Sequence, residues 1–428
     1  MDTLQELALF GAEPTVTAAW PSYPFRSEAE AKAITDAYWG TGRDAIHSGG
    51  VIGAFEDAFA EYLEMPYALA CSSGTTALHL ALIAAGVGPG DEVITSPYSW
   101  GATTACILHA NAIPVYADLD STVNLDAASI ERAITKQTKA IVLVHMYGMP
   151  CDMDPIMAVA RKHKLQVIED CAQCHGGEDR GRKVGTIGDF GCFSLQASKA
   201  TPALEGGIVL TRDKNAYQRM LIYSMHPARQ GDEIDDCDWA RYIDSTAFNY
   251  RINPLAAAMA KSQLAHLDER NGWRIRNCER LMNQLEGVPG LRAIRCPAGR
   301  KHVYHVLCFE YFAEKLFGLS RGKFLEAVSA EGAPFGIYIG TPIPYRARFQ
   351  DRFFYPNGNC PWGCSLAKRD VTYKEGELPR CEELAARDVI MYTGHLADER
   401  FELMDQLAAA VKKVVGCAEK LAELEKQG

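Results

Sequence analysis

Between Tyr67 and Thr211 the chain repeats one unit, a short apolar run followed by a stretch of helical length. The runs are YALACSS, DEVITS, IPVYADL, KAIVLVHMYG, LQVIED, FGCFSL and GGIVLT. Between them lie TTALHLALIAAG, ATTACILHANA, SIERAIT and DMDPIMAVARKHK. Strands with no polar alternation are buried on both faces, as a mostly parallel sheet between helices requires. The repeat therefore predicts an α/β domain. Helical patterns precede it from residue 29 to about residue 63, and it ends near residue 265. After a long helical stretch over residues 254–285 the pattern changes. HVYHVLCFEY, a helix FLEAVSAEG, the run FGIYI and one long amphipathic helix from ERFELMDQ to the end predict a small α+β domain. The expected division is an irregular segment 1–28, a large domain 29–265 and a small domain 266–428.

Composition narrows the partners. The formal net charge of −10 argues against nucleic acid and anionic membrane. No window reaches ~18 uninterrupted apolar residues, and the start, MDTLQELALFGAEP, has no basic region before its apolar residues. The expected location is cytoplasmic, where most of the 14 cysteines are reduced packing residues. This bears on Cys171-Ala172-Gln173-Cys174-His175, which spells C-x-x-C-H, a haem-attachment pattern. Covalent haem attachment belongs to an exported compartment. A zinc site needs four ligands, and only the distant Cys360 and Cys364 offer to complete the set. The acids before Cys171 raise a thiol pKa, against redox use. Two buried thiols is the reading that remains.

Ligands of open α/β sheets sit at the carboxyl ends of strands, and three such ends carry suggestive groups. Ser73-Gly74-Thr75 breaks a strand and opens a helix, whose free N–H groups and positive dipole end suit a phosphate or an ordinary cap. Asp170 closes LQVIED, and a carboxylate there needs a cation or a cap. Lys199 follows FSLQAS; beside apolar residues a lysine has a lowered pKa and forms Schiff bases, although a solvated loop lysine reads the same way. Trp100, just past EVIT, offers an aromatic face. A phosphate cup, a carboxylate, an amine and a ring together meet the needs of pyridoxal 5'-phosphate.

The order SSGTTALHLAL, GPGDEVITSPYSW, KAIVLVHMYGMPCDMD, VIEDCAQCHGG, VGTIGDFGCFSLQASK, EGGIVLT and FNYRINPLAAA resembles the DegT/StrS-type sugar aminotransferases of the aspartate-aminotransferase fold, fold type I of the pyridoxal phosphate enzymes. The resemblance implies that Lys199 is the Schiff-base lysine and proton shuttle, and that Asp170 keeps the pyridine nitrogen protonated. It implies that Trp100 stacks on the ring, that Gln173 lies beside the ring or its phenolic oxygen, and that Ser73, Gly74, Thr75 and Ser194 hold the phosphate. Asn249, in FNYR, is implied to reach the phosphate of a neighbouring subunit, hence a homodimer. Gln196 stands where nucleotide-sugar enzymes of the family often carry histidine, and resembles the branch acting on cyclitol ketones such as scyllo-inosose, with L-glutamine or L-glutamate as donor; a nucleotide-linked ketosugar is the alternative acceptor. Dehydratases of the family replace the lysine with histidine, and a non-catalytic regulator would need a DNA-binding appendage, so amino transfer is the expected activity. Leu204 and Ser245-Thr246-Ala247 depart from glycines usual in the family, which bears on the acceptor. Tyr338, Tyr345 and His395 are open between substrate contact and a structural role.

Overall fold

The computed structural model describes residues 3–40, 42, 45–244, 246–356 and 358–427. The strands are β1 (Tyr67–Cys71), β2 (Glu92–Thr95), β3 (Ile113–Tyr116), β4 (Thr138–Val144), β5 (Gln166–Asp170), β6 (Glu178–Asp179), β7 (Arg182–Lys183), β8 (Phe190–Ser194), β9 (Gly207–Thr211), β10 (Leu291–Ala293), β11 (Arg300–Lys301), β12 (Val306–Tyr311) and β13 (Asp388–Tyr392). Seven of them form the main sheet in the order β1-β9-β8-β5-β4-β2-β3. It is parallel from β3 to β8, and β9 runs antiparallel to both its neighbours. The expected α/β architecture is the one observed.

Both faces of the sheet are covered. Alternate residues of a strand point to opposite faces. Val93, Val142 and Ile168 accordingly pack with Leu78, Ala81 and Leu82 of the helix Gly74–Ala84. Ile94, Ile141 and Val167, one position away, pack with Ile156 and Ala160 of the helix Met153–His163 on the other side. Unbroken apolar runs follow from this double burial.

The smaller sheet is antiparallel, in the order β10-β12-β13. Its core joins Phe309 and Met391 to Leu281, Phe324, Leu407 and Val411 from the surrounding helices, and to Leu7 from the N-terminal arm. Two expectations need correction here. FGIYI contributes one isolated bridge, Gly336 with Ile390, and the third strand is Asp388–Tyr392. The terminal helix is two helices, Phe401–Gly416 and Ala418–Gln427. No helix among the described residues is long and apolar enough to cross a membrane.

One buried ion pair braces the approach to β1. Arg229 donates to both carboxylate oxygens of Glu56, at 3.0 and 2.8 Å, and Glu56 also accepts the Ala70 amide at 2.7 Å. Removing one partner of such a pair strands the other charge. Glu56→Ala is therefore expected to cost about 3 kcal/mol of stability, the low end of the range because Arg229 keeps Glu233 at 2.7 Å. Chemical denaturation followed by circular dichroism measures it.

Candidate active site

The carboxyl ends of β4, β5 and β8 open into a cleft of about 600 Å³. Ser73, Gly74, Thr75 and Trp100 line it from the helix starts. Asp170, Gln173, Ser194 and Lys199 line it from the strand ends and the loops beyond. Eight of the nine cofactor residues expected from the sequence thus face one space.

The helix Gly74–Ala84 begins with a reciprocal cap. The Ser73 hydroxyl accepts the Thr76 amide at 3.1 Å, and the Thr76 hydroxyl accepts the Ser73 amide at 3.0 Å. The cap leaves the Gly74 and Thr75 amides, which a helix start cannot satisfy internally, without a partner among the described residues, at the positive end of the helix dipole. A Cβ on Gly74 would stand 2.7 Å from the Cβ of Ser194, so glycine is what lets the helix start meet the end of β8.

Asp170 is 4% exposed and ends β5. Its two oxygens accept the Thr103 hydroxyl at 2.8 Å and the Ala172 amide at 3.1 Å. Burial pushes its carboxyl pKa up, against the pull of these two donors and of the Lys199 charge. Among the described residues no cation forms an ion pair with it, so its wall of the cleft is ready for one. Thr103 is itself held by Ser99 at 2.8 Å.

Lys199 lies in the loop between β8 and β9, and its amine has no hydrogen-bond partner among the described residues. Burial lowers its pKa, opposed by the Asp170 carboxylate. Trp100 is 69% exposed, an indole at the cleft with an uncovered face. Gln173 is fixed in orientation: its carbonyl oxygen accepts the Tyr147 amide at 2.8 Å, and its amide donates to the Tyr338 hydroxyl at 3.0 Å. The Tyr147 backbone sits in the left-handed region, φ 62°, a strained conformation that directs its amide to Gln173. Gln196 also lines the cleft, with its carbonyl oxygen taken by the Ser198 amide at 2.8 Å and hydroxyl at 2.6 Å.

These features fit pyridoxal phosphate. Free amides and hydroxyls suit its phosphate, a buried carboxylate suits a protonated ring nitrogen, an unpaired amine suits its aldehyde, and an exposed indole suits its ring.

Other residues fall elsewhere. Asn249 is exposed on the segment before Arg251 and does not line this cleft. Tyr338 lines the cleft, whereas Tyr345 donates to Glu382 at 2.5 Å outside it. The His395 ring packs edge-on against Trp20 at 4.8 Å and is not among the cleft residues. Leu204 takes φ 64°, the backbone region that favours glycine, with its side chain exposed. Ser245 lies outside the described residues. Thr103, Ser99, Glu205, His305 and Tyr392 also line the cleft and were not foreseen. Two of them, Ser99 and Thr103, flank Trp100 four residues apart at a helix start, a spacing that puts both side chains on one side.

The C-x-x-C-H segment carries two fully buried thiols. Cys360 and Cys364 lie three strands away, beyond the β3 edge, where Trp362 bonds Tyr373 and Tyr373 bonds the Pro114 carbonyl. Among the described residues the group with metal-ligand potential here is His145, Glu169 and Cys171. Glu169 already accepts three amides and the His145 ring, and the other His145 nitrogen accepts the Cys151 amide. Burial pushes the Cys171 thiol well up. The cluster is a saturated structural knot.

Residues 27–389 match the model of the DegT/DnrJ/EryC1/StrS aminotransferase family. An L-glutamine:2-deoxy-scyllo-inosose aminotransferase of Streptoalloteichus tenebrarius is 34% identical over 422 residues, 96% of this chain and 97% of that one. A GDP-perosamine synthase of Caulobacter vibrioides is 42% identical over 245 residues, 55% of this chain and 64% of that one. The crystal structure of an aminotransferase from Psychrobacter cryohalolentis superposes with a TM-score of 0.80 at 28% identity, over 93% of this chain and 99% of that one. The chain belongs to the DegT/DnrJ/EryC1/StrS aminotransferase family and is a pyridoxal phosphate-dependent enzyme that transfers amino groups.

Proposed function

We propose that this aminotransferase moves the amino group of L-glutamine or L-glutamate to a ketone on a cyclitol of the scyllo-inosose kind, in aminocyclitol or amino-sugar biosynthesis. The observation that carries the acceptor is similarity over nearly the whole length, 96% of this chain, to an enzyme named for that reaction. Gln196 supports it, because Ser198 occupies its carbonyl oxygen and leaves its amide as a donor suited to an uncharged hydroxyl.

When bound, pyridoxal phosphate supplies the electron sink that makes the donor's Cα–H acidic. The protein's part is assigned as follows. Lys199 Nζ, its pKa lowered by burial, takes the proton from one carbon and returns it to another. Asp170, at the carboxyl end of β5, would hold the positive charge of the ring. Trp100 would cover a ring face and keep water from it. Gly74, Thr75 and Ser194 would fix the phosphate end. Burial and the nearby cations Lys199 and Arg274 keep the His305 ring neutral, so it serves as a hydrogen-bonding wall without added charge. We assign Asn249 to the phosphate of a partner subunit in a cytoplasmic homodimer, a reading supported by its exposure away from its own cleft.

The second reading is a nucleotide-linked ketosugar, favoured by the higher local identity to GDP-perosamine synthase. A ketone panel decides. The loaded enzyme is given L-glutamine or L-glutamate with scyllo-inosose, its 2-deoxy derivative, or nucleotide-diphosphate ketosugars, and the amine is read by mass spectrometry. Amination of free cyclitols is the expected result. Amination of the nucleotide sugars alone transfers the assignment to the second reading, and amination of none overturns both.

A further inference from the structure

The N-terminal arm reaches the loop that carries Lys199. That loop is laced at its base, where Leu195 N–H meets the Gly206 carbonyl at 2.9 Å and Ala197 N–H meets the Leu204 carbonyl at 3.0 Å. Lys199 N–H turns back to the Gln196 carbonyl at 2.8 Å. The Lys199 carbonyl has no partner within the loop. Its donor is the hydroxyl of Tyr23, 176 residues away.

Tyr23 is placed from several sides. A Cβ on Gly394 would lie 3.4 Å from two carbons of the Tyr23 ring and 3.6 Å from the Ser198 carbonyl oxygen. Arm, loop and the turn at residues 393–396 thus meet in van der Waals contact at one point. The arm is anchored on either side of Tyr23. Trp20 packs edge-on against His395, Phe25 lies under the Arg270 guanidinium at 4.7 Å, and the Phe25 carbonyl accepts the Gln263 side-chain amide at 2.9 Å. Burial holds the phenol above its ordinary pKa, with Arg274 and Arg270 opposing, so the hydroxyl stays protonated and a donor.

We infer that Tyr23 is a positioning residue for Lys199: its hydroxyl fixes the carbonyl of the residue that bears the reactive amine, and so ties docking of the N-terminal arm to the geometry of the cleft. The inference rests on the role of Lys199 proposed above. The lysine side chain is long, and its reach is set by where its own backbone sits. A small displacement of a reacting group is costly in rate even when its cause lies far from the chemistry.

Tyr23→Phe removes the hydroxyl and keeps the ring on Gly394. The loaded variant is expected to lose about tenfold in kcat, with KM for donor and ketone within about twofold and an unfolding midpoint within about 2 °C of the parent. In the cofactor-free protein, amide hydrogen exchange over residues 196–203 should quicken while β4, β5 and β8 stay protected. Unchanged kcat with unchanged exchange overturns the inference. A fall in activity with reduced protection across the sheet also overturns it, because Tyr23 would then hold the fold instead of the lysine. Should Lys199 itself prove dispensable, the role assigned to it fails in the Lys199→Ala protein, independently of what Tyr23→Phe does.

Discussion

Replacing Lys199 with alanine is expected to give a folded protein that binds pyridoxal phosphate without the visible band of a lysine-linked cofactor and has lost about 10⁴-fold or more in kcat. A positioned base alone contributes about 10²–10⁴-fold, and the variant also loses the covalent attachment that orients the cofactor. The structure leaves no obvious substitute. Among the residues lining the cleft, Lys199 is the lysine, and no other primary amine there can take up the cofactor's aldehyde. Burial also makes Lys199 a fitting amine, because it favours the uncharged, nucleophilic form, against the pull of Asp170. Borohydride treatment gives a second readout: it should fix the cofactor to the parent chain and leave Lys199→Ala without an adduct. Retained turnover in the absence of added amines, or an adduct at another residue, would remove Lys199 from the mechanism. Stability should change little, since the amine makes no hydrogen bond within the described residues.

What could be read from the sequence follows from how local each signal is. Asp170 ends an apolar run, Ser73 to Thr75 join a strand to a helix, and Lys199 follows a strand. Each is placed by its own neighbours, and parallel strands bring their carboxyl ends to one edge. Asp170 and Lys199 therefore meet without any long-range information. Thr103 was missed because its bond to Asp170 spans 67 residues and depends on how the helix Ala102–His109 lies on the sheet. Tyr338 and Tyr345 could not be told apart, since Tyr338 lies in a short run without a strand's pairing and Tyr345 in a single 3-10 turn, neither long enough for a period to say which faces the cleft. The Asp388 carboxylate decides, by fixing the Tyr338 amide at 2.9 Å. The final helix read as one because the apolar spacing continues through Gly416 and Cys417, although the glycine was a breaker in plain view. The strand Asp388–Tyr392 escaped notice for the opposite reason. It is a five-residue run directly after a helix, and what makes it a strand is its pairing with β12.

Asp170→Asn should act in opposite directions on stability and on catalysis. In the cofactor-free protein the Asp170 carboxyl has its pKa raised by burial. A group raised in the folded state contributes stability that is full below its unfolded pKa, about 3.9, and is lost as pH rises through the folded value. As pH rises from about 4 towards the raised folded-state value, this residue therefore makes the empty protein progressively less stable, and asparagine, which does not ionise, should flatten that dependence and raise the unfolding midpoint at the alkaline end. Geometry is largely kept, because the asparagine oxygen can still accept the Ala172 amide and its nitrogen can donate to Thr103 Oγ1. Loading the cofactor reverses the balance. A positive ring nitrogen against the carboxylate offsets the cost of burying it, so pyridoxal phosphate should stabilise the parent more than Asp170→Asn. The rate loss is expected at about 10²–10³-fold, the scale for removing one preorganised electrostatic partner from a water-poor site. Thermal unfolding of empty and loaded protein across that pH range, beside kcat, tests both halves. A variant that keeps kcat within tenfold would show that the carboxylate at the end of β5 is not the partner of the ring, and an empty form that follows the parent's pH dependence would show that burying this carboxylate does not set it.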